Sequence, residues 1–178
     1  MSDSEHECRA RYRWALRTQV IPAVSAQTYE RAEARYLAQH REQRVDAGQR
    51  TLARHLAVSH HLVETGHRHA GLGRGVALKL LAAAVREGGG RVIGLGPSTF
   101  AVPGLSADLN GAPTYAIGQW PTVRAADAEA QPRAGDVLVI VDGDLILHLY
   151  PEQMAAVIDE AAATGAVVRI IGDPDRLR

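Results

Sequence analysis

A cluster of glycines between two segments of different character constrains the fold of this chain more than any other feature. His69–Leu78 reads His-Ala-Gly-Leu-Gly-Arg-Gly-Val-Ala-Leu, and a helix-prone run rich in alanine and leucine follows. The β-prone stretch before it, Leu62–Thr65, is short and is followed by histidines, so it is a poor strand candidate by itself. Glycine permits tight turns, and a glycine-rich turn that leads into a helix is typical of a βα unit.

The rest of the chain continues this alternation. We predict a buried helix over Val76–Arg86, a loop-rich region with short helices over Ala101–Arg133, a helix over Pro151–Thr164, and strands over Arg91–Leu95, Asp136–Val141 and Val167–Ile171. Asp136–Val141 is the clearest strand because its apolar run is continuous, as in central strands of parallel sheets. The order predicts an α/β fold, a parallel sheet flanked by helices.

An α-helical arm is predicted to precede this domain. Its first helix should end at Ile21-Pro22, a second should cover Gln27–Arg44, and a third, Ala47–His60, should open the main domain. We therefore expect two parts, an arm over residues 1–44 and an α/β domain over residues 45–178. Four arginines decorate the first helix, Arg9, Arg11, Arg13 and Arg17. We interpret them as a solvated face, and since the formal net charge is zero, any nucleic-acid contact would need a local patch.

The glycine cluster resembles a nucleotide-binding P-loop that lacks its working residues. A P-loop reads G-x-x-x-x-G-K-S/T: backbone N–H groups and the lysine hold phosphates, and the hydroxyl binds Mg²⁺. Here Arg68 replaces the first glycine, Arg74 the lysine and Gly75 the hydroxyl residue. The pattern predicts a nucleotide-binding architecture without the groups that hydrolysis requires.

The end of the clearest strand shows a second partial motif. P-loop proteins place a Walker B aspartate there, usually followed by a glutamate that activates water. Asp142 keeps the aspartate, which leaves a vestigial Mg²⁺ position, but Gly143 replaces the glutamate. Asp144 could reach a metal, although its place on a departing turn favours a solvated role.

The ordered set of motifs resembles the superfamily 1, RecD-like helicase domain of conjugative relaxases over residues 45–178. Gln49 matches a glutamine that recognises the nucleotide base, and Gly94–Ser98 matches a G-L-A-P-S/T turn that contacts single-stranded DNA. Thr114–Trp120 matches a T-I-x-x-W segment, and Gly165–Leu177 matches a strand followed by G-D-P-x-Q-L. Arg176 stands where that family has a glutamine that senses the γ-phosphate.

This resemblance implies a RecA-type, P-loop NTPase-like fold with only the first motor lobe, and two sets of site residues. The vestigial nucleotide site would contain Gln49, Ala70, Gly71, Gly73, Arg74, Gly75, Asp142, Asp173 and Arg176. The single-stranded DNA contacts would be Pro97, Ser98, Thr99, Thr114 and Trp120, with the indole stacking a base or lying in the core.

The leading hypothesis is a non-hydrolysing helicase-like domain without catalytic residues. It would act as a scaffold or weak single-stranded-DNA module in conjugal transfer or mobile-element DNA processing, with a relaxase or another transfer protein as partner. One alternative is a nucleotide-binding ATPase or switch that uses Arg74 in place of lysine, with ATP and Mg²⁺ bound at low affinity. A third is a protein-interaction module whose partner surface is formed by the N-terminal helices.

Other classes of function have less support. Histidines cluster at His55, His60, His61, His67 and His69, but no cysteine or carboxylate completes a known zinc spacing, so we predict no metal site. The single Cys8 excludes an internal disulfide, and the absence of a leader or a long apolar run predicts a cytoplasmic protein without membrane contact.

Overall fold

A computed structural model of the chain describes residues 2–67 and 74–177. Its helices are α1 (Asp3–Ala15), α2 (Ala26–Gln39), α3 (Ala47–Val58), α4 (Arg74–Glu87), α5 (Val102–Asp108), α6 (Trp120–Ala126), α7 (Gly143–Leu149), α8 (Pro151–Thr164) and α9 (Pro174–Leu177). Its strands are β1 (Val63–His67), β2 (Val92–Gly96), β3 (Thr114–Ala116), β4 (Val137–Val141) and β5 (Val167–Gly172). Short 3₁₀ turns cover Ile117–Gln119 and Ala128–Ala130.

The strands form one parallel sheet in the order β1-β5-β4-β2-β3. Alternate residues of β4 face opposite layers, as the two-residue period of a strand requires. Val139 packs with helices α2, α3, α4 and α5, whereas Ile140 packs with α1, α6, α7 and α8. The predicted α/β fold, a parallel sheet flanked by helices, is confirmed.

The prediction for Leu62–Thr65 was wrong, because Val63–His67 forms an edge strand of the sheet. Val63 pairs with Val168 and His67 with Gly172, both in β5. Gly66 lies so close to α3 and β5 that an added Cβ would be 2.8 Å from Leu52 Cδ1 and 2.9 Å from Ile171 Cδ1. Pairing and packing thus override the weak local propensity of this stretch.

The N-terminal helices are shorter than predicted. The first ends at Ala15, not at Ile21-Pro22, because the chain then runs beside the residues that precede β1. There the Val20 N–H donates to the His60 carbonyl at 2.7 Å, and the Leu62 N–H donates to the Thr18 carbonyl at 2.9 Å.

The second and third helices also end early, and one helix was missed. The second ends at Gln39 instead of Arg44, the third at Val58 instead of His60, and α7 was not predicted. The division of the chain at residue 44 stays a prediction, although α1 packs against α8 and α2 packs against α4.

Candidate functional site

The carboxyl ends of the parallel strands meet at one edge of the sheet, and most of the predicted site residues lie there. In open α/β sheets this edge is where ligands bind. β2 ends before Pro97, β4 before Asp142 and β5 before Asp173. The chain leaves β1 at the same edge and re-enters the described structure at Arg74, the first residue of α4.

The glycine-rich turn itself falls outside the described residues. Ala70, Gly71 and Gly73 therefore cannot be placed, and neither can the side chain of Arg74. The predicted role of these residues in holding phosphates stays a prediction.

Gly75, in the first turn of α4, lies against the carboxylate of Asp108 at the end of α5. A Cβ added to Gly75 would be 2.5 Å from Asp108 Oδ1 and 3.3 Å from its Cγ. Real Cβ contacts are never this short, so a threonine at this position would have to displace the carboxylate. Asp108 thus takes up the space into which a P-loop would extend the Cβ of its hydroxyl-bearing residue.

The turn after β4 combines an unusual backbone with tight packing. Asp142 has a φ of 52°, in the left-handed region that side chains with a Cβ rarely adopt. The next residue, Gly143, is buried at the start of α7, and an added Cβ would overlap Ile170 Cγ2. A glutamate at position 143 would therefore collide with a core side chain of β5.

The ends of β4 and β5 are joined by polar contacts. The Asp173 N–H donates to Asp144 Oδ1 at 3.4 Å, and the Arg176 guanidinium lies 3.9 Å from Asp144 Oδ2 and 3.5 Å from Asp173 Oδ2. Asp144 was expected to be a solvated turn residue, but its side chain is partly buried in this contact. Arg176 is exposed, and its carbonyl accepts a hydrogen bond of 2.9 Å from Arg9.

Gln49, the predicted base-recognition residue, is buried and takes part in the N-terminal cap of α3. Its Oε1 accepts from the Asp46 N–H at 3.0 Å, while the Gln49 N–H donates to Asp46 Oδ1 at 2.8 Å. This reciprocal pair is a capping box, which satisfies backbone donors at the start of a helix. The local sequence Asp46-Ala-Gly-Gln49 is sufficient to explain it.

The predicted DNA contacts divide into the turn after β2, the partly buried Thr114 and the buried Trp120. Ser98 and Thr99 are exposed after β2, and Pro97 is half-buried. Thr114 Oγ1 donates to the Ala112 carbonyl at 3.0 Å beside the sheet. Trp120 is 2% exposed and its Nε1 donates to Glu160 at 3.2 Å. Its ring lies in the core and offers no free face on which a base could stack.

Sequence reasoning missed a different aromatic residue at this edge. Phe100 follows the exposed turn directly, and its side chain is 95% exposed. It is the only phenylalanine of the chain. The position of Phe100 next to Ser98-Thr99 could have indicated a DNA contact, but the exposure of its side chain could not be inferred from the sequence.

Two of the clustered histidines, His55 and His61, lie beside the Glu64 carboxylate in β1. His55 Nε2 lies 3.1 Å from Glu64 Oε1, and His61 Nδ1 lies 3.5 Å from Glu64 Oε2. Burial raises the pKa of Glu64, but hydrogen bonds from His55, Ser59 and the Thr65 N–H outweigh it and lower this pKa to about 2. The hydrogen bond to Glu64 raises the pKa of His55.

Arg169, in the middle of β5, is buried beside this cluster. It donates to the carbonyls of Leu56 at 2.5 Å, Val168 at 2.9 Å and His61 at 3.1 Å. Burial lowers its pKa to about 10, which still leaves it charged at neutral pH. The guanidinium therefore holds the end of α3 on the sheet.

The described residues contain neither a metal-binding cluster nor a helix suited to a membrane. Across residues 2–67 and 74–177, no group of three histidine, cysteine or acidic side chains is arranged to hold a metal ion. His69 lies outside these ranges. None of the helices in this part of the chain is long and apolar enough to cross a bilayer.

Comparison with known proteins identifies the architecture. The chain matches none of the curated proteins. The AAA domain family matches residues 44–178, which is more than half of the chain and contains all five strands of the described sheet. This match agrees with the parallel sheet, with the glycine-rich sequence between β1 and α4 and with the aspartate that follows β4. The chain therefore belongs to the AAA domain family.

Proposed function

We propose that this AAA domain is a non-hydrolysing, helicase-like domain that acts as a scaffold and as a weak single-stranded-DNA module. The observation that carries the proposal is the packing of Gly75 and Gly143. Both positions carry glycine where hydrolysis would need a side chain, and an added Cβ would meet the Asp108 carboxylate at position 75 and the Ile170 side chain at position 143. Simple point reversions are therefore expected to fail.

The residues around Gly75 do not fit the Mg²⁺-binding role of a P-loop. Glycine has no hydroxyl to coordinate the ion. The nearby Asp108 carboxylate could bind a cation in principle, but it lies against Gly75 Cα, where it would also repel nucleotide phosphates. Asp142 remains at the end of β4, but Gly143 stands where a P-loop enzyme has the glutamate that activates water.

The DNA role rests on the exposed turn after β2. Its hydroxyls at Ser98 and Thr99 and its backbone N–H groups can contact phosphates, while Phe100 presents an unobstructed ring for base stacking. The chain has no net positive charge, so such binding should be micromolar or weaker and should fall steeply with salt. A place in conjugal transfer beside a relaxase is supported by the RecD-like order of motifs.

The direct test is a phosphate-release assay with Mg²⁺-ATP, with and without single-stranded DNA. The native protein and its Asp142→Ala variant should release phosphate at the same background rate. Turnover of about 1 to 100 s⁻¹, the usual range for phosphoryl-transfer enzymes, that disappears in Asp142→Ala would overturn the proposal.

A second test distinguishes two possible causes of weak ATP binding: the missing P-loop side chains and the steric block by Asp108. Arg74→Lys with Gly75→Thr should not restore ATP binding, because the threonine Cβ would collide with Asp108. Adding Asp108→Ala should make room, so only the triple variant should bind labelled ATP more tightly than the native protein. Asp108→Ala alone is the control for removal of the negative charge.

The same titration tests the nucleotide-switch alternative. Tight ATP binding by the native protein without hydrolysis would favour a switch that uses Arg74. Binding of neither ATP nor single-stranded DNA would leave the domain as a protein-interaction module.

A further inference from the structure

The four arginines in α1 and the turn that follows it have different environments, and only two of them are neutralised. Arg9 lies 3.1 Å from Glu5, and Arg11 lies 3.3 Å from Asp159 and 3.8 Å from Glu7. Arg13 and Arg17 are exposed, and neither has a carboxylate within ion-pair distance in the part of the chain that the structure describes. The end of α1 therefore carries uncompensated positive charge.

An exposed indole lies between these two charges. Trp14 is 49% exposed, in contrast to the buried Trp120. Arg13, Trp14 and Arg17 line a shallow groove of about 530 Å³ together with Ala10 and Thr18. The Thr18 hydroxyl donates to the Trp14 carbonyl at 2.9 Å, which fixes the end of the helix next to the ring.

Among the described residues, no acidic side chain lines this groove, and the neighbouring helix α8 adds none. α1 and α8 run side by side in the same direction, because Ser4 bonds Glu152 and Arg11 pairs with Asp159. Beyond Asp159 and Glu160, α8 ends in alanines and a threonine. Asp159 pairs with Arg11, and Glu160 binds Arg124 at 3.0 Å and the indole of Trp120.

From this arrangement we infer that the Arg13–Trp14–Arg17 groove binds single-stranded nucleic acid, with the two guanidiniums on phosphates and the indole against a base. Arg13 lies in the last turn of α1 and Arg17 just after the C-cap Leu16, so an exposed cation precedes and follows the exposed ring. Alternating cations and aromatic faces are the usual means of binding a single strand without sequence preference. An acidic peptide would use the two charges but not the flat ring.

This groove is separate from the turn at Ser98–Phe100, so the two proposals can fail independently. Ser4, in the first turn of α1, bonds Glu152 in the first turn of α8, and α8 follows α7 on the chain from the carboxyl edge. The groove lies at the other end of α1. Loss of binding in a Phe100→Ser variant tests the turn, whereas changes in α1 test the groove.

The experiment is fluorescence anisotropy of a labelled 20-nucleotide oligothymidine with the full chain. Arg13→Gln with Arg17→Gln should weaken binding at least fivefold, and the slope of log affinity against log salt should fall by about 1.4, the value for two single-strand phosphates. The matched control is Arg41→Gln with Arg44→Gln, which removes two exposed arginines that also have no ion pair among the described residues. The control should keep at least half of the affinity.

Tryptophan fluorescence tests the stacking separately. Oligothymidine should quench the Trp14 emission of the native protein, and Trp14→Ala should lose the quenching and weaken binding about fivefold or more. Trp14→Phe keeps an aromatic ring, so it should retain most of the affinity that Trp14→Ala loses. Equal affinities of the native protein and the α1 double variant would overturn the inference. So would equal losses in the double variant and its control, or displacement of DNA by polyglutamate with the same quenching.

Discussion

The two edges of the sheet are built on opposite principles. At the amino edge, Asp136 is 3% exposed and accepts hydrogen bonds from Arg91 N, Nε and Nη2 and from the Arg133 N–H. At the carboxyl edge, glycines stand at positions 75 and 143 and Asp142 adopts a left-handed backbone. A buried carboxylate with several donors holds the amino edge together, whereas at the carboxyl edge an added Cβ at either glycine would meet a neighbouring side chain. The residues that stabilise the sheet are therefore separate from those at the edge where ligands bind in open α/β sheets.

The largest expected change in the free energy of unfolding comes from a substitution at the amino edge. Asp136→Ala removes the acceptor of several hydrogen bonds and leaves the Arg91 guanidinium short of partners, so the free energy of unfolding should fall by about 3 kcal/mol. Urea unfolding followed by circular dichroism measures this change. Asp175→Ala, at an exposed position of α9, should change stability by less than about 0.5 kcal/mol. A small effect of Asp136→Ala would break the contrast between the two edges.

The second effect is the cost of restoring a catalytic residue at the carboxyl edge. Gly143→Glu should lower the free energy of unfolding by about 2 kcal/mol, because its Cβ collides with Ile170 in the core. Gly104→Ala is the control, since no described atom lies within 4 Å of its added Cβ and alanine favours a helix by up to about 1 kcal/mol. If Gly143→Glu were as stable as the native protein, position 143 would not be closed by packing.

The third effect concerns the backbone at the end of β4. Asp142→Ala should be less stable than Asp142→Gly by about 1 kcal/mol, because only glycine relieves the left-handed conformation. Both variants lose the same carboxylate, so the comparison isolates the backbone. Equal unfolding midpoints would show that the turn relaxes without strain.

The smallest effect is the pH dependence of the His55–Glu64 pair. Because its folded pKa is raised above 6.5, His55 stabilises the protein below that pH and loses this contribution as the pH rises through the folded pKa. His55→Gln should lower stability at pH 6 by less than about 1 kcal/mol, since the imidazole is half exposed, and by less still at pH 8.5. Unfolding curves at the two pH values measure the difference.

The contribution of Glu64 to stability changes with pH in the opposite direction, and it does so at acid pH. Its pKa falls from 4.5 to about 2, so its stabilising contribution is complete above pH 4.5 and disappears as the pH falls towards 2. Glu64→Gln should therefore narrow the stability difference between pH 6 and pH 3. An unchanged difference would show that other carboxylates control acid unfolding.

Several features followed from the sequence alone. The continuous apolar run of β4, the Pro151 that begins α8 and the glycine that ends it were sufficient for those elements, because their signals are local. The order of strands and helices predicted a parallel sheet, and parallel strands necessarily bring Asp142 and Asp173 to one edge. The glycines at positions 75 and 143, which carry neither a hydroxyl nor a carboxylate, were also evident directly from the sequence.

Only the tertiary structure decided what surrounds those positions. Asp108 reaches Gly75 from 33 residues away and Ile170 reaches Gly143 from 27 away, distances in the chain at which no local pattern operates. The same holds for β1, which exists because β5 pairs with it, and for Arg169, a charge buried in a strand that reads as apolar. The sequence by itself determined that glycine stands at positions 75 and 143, whereas long-range packing decided which side chains lie against them, because such contacts form only when distant parts of the chain fold together.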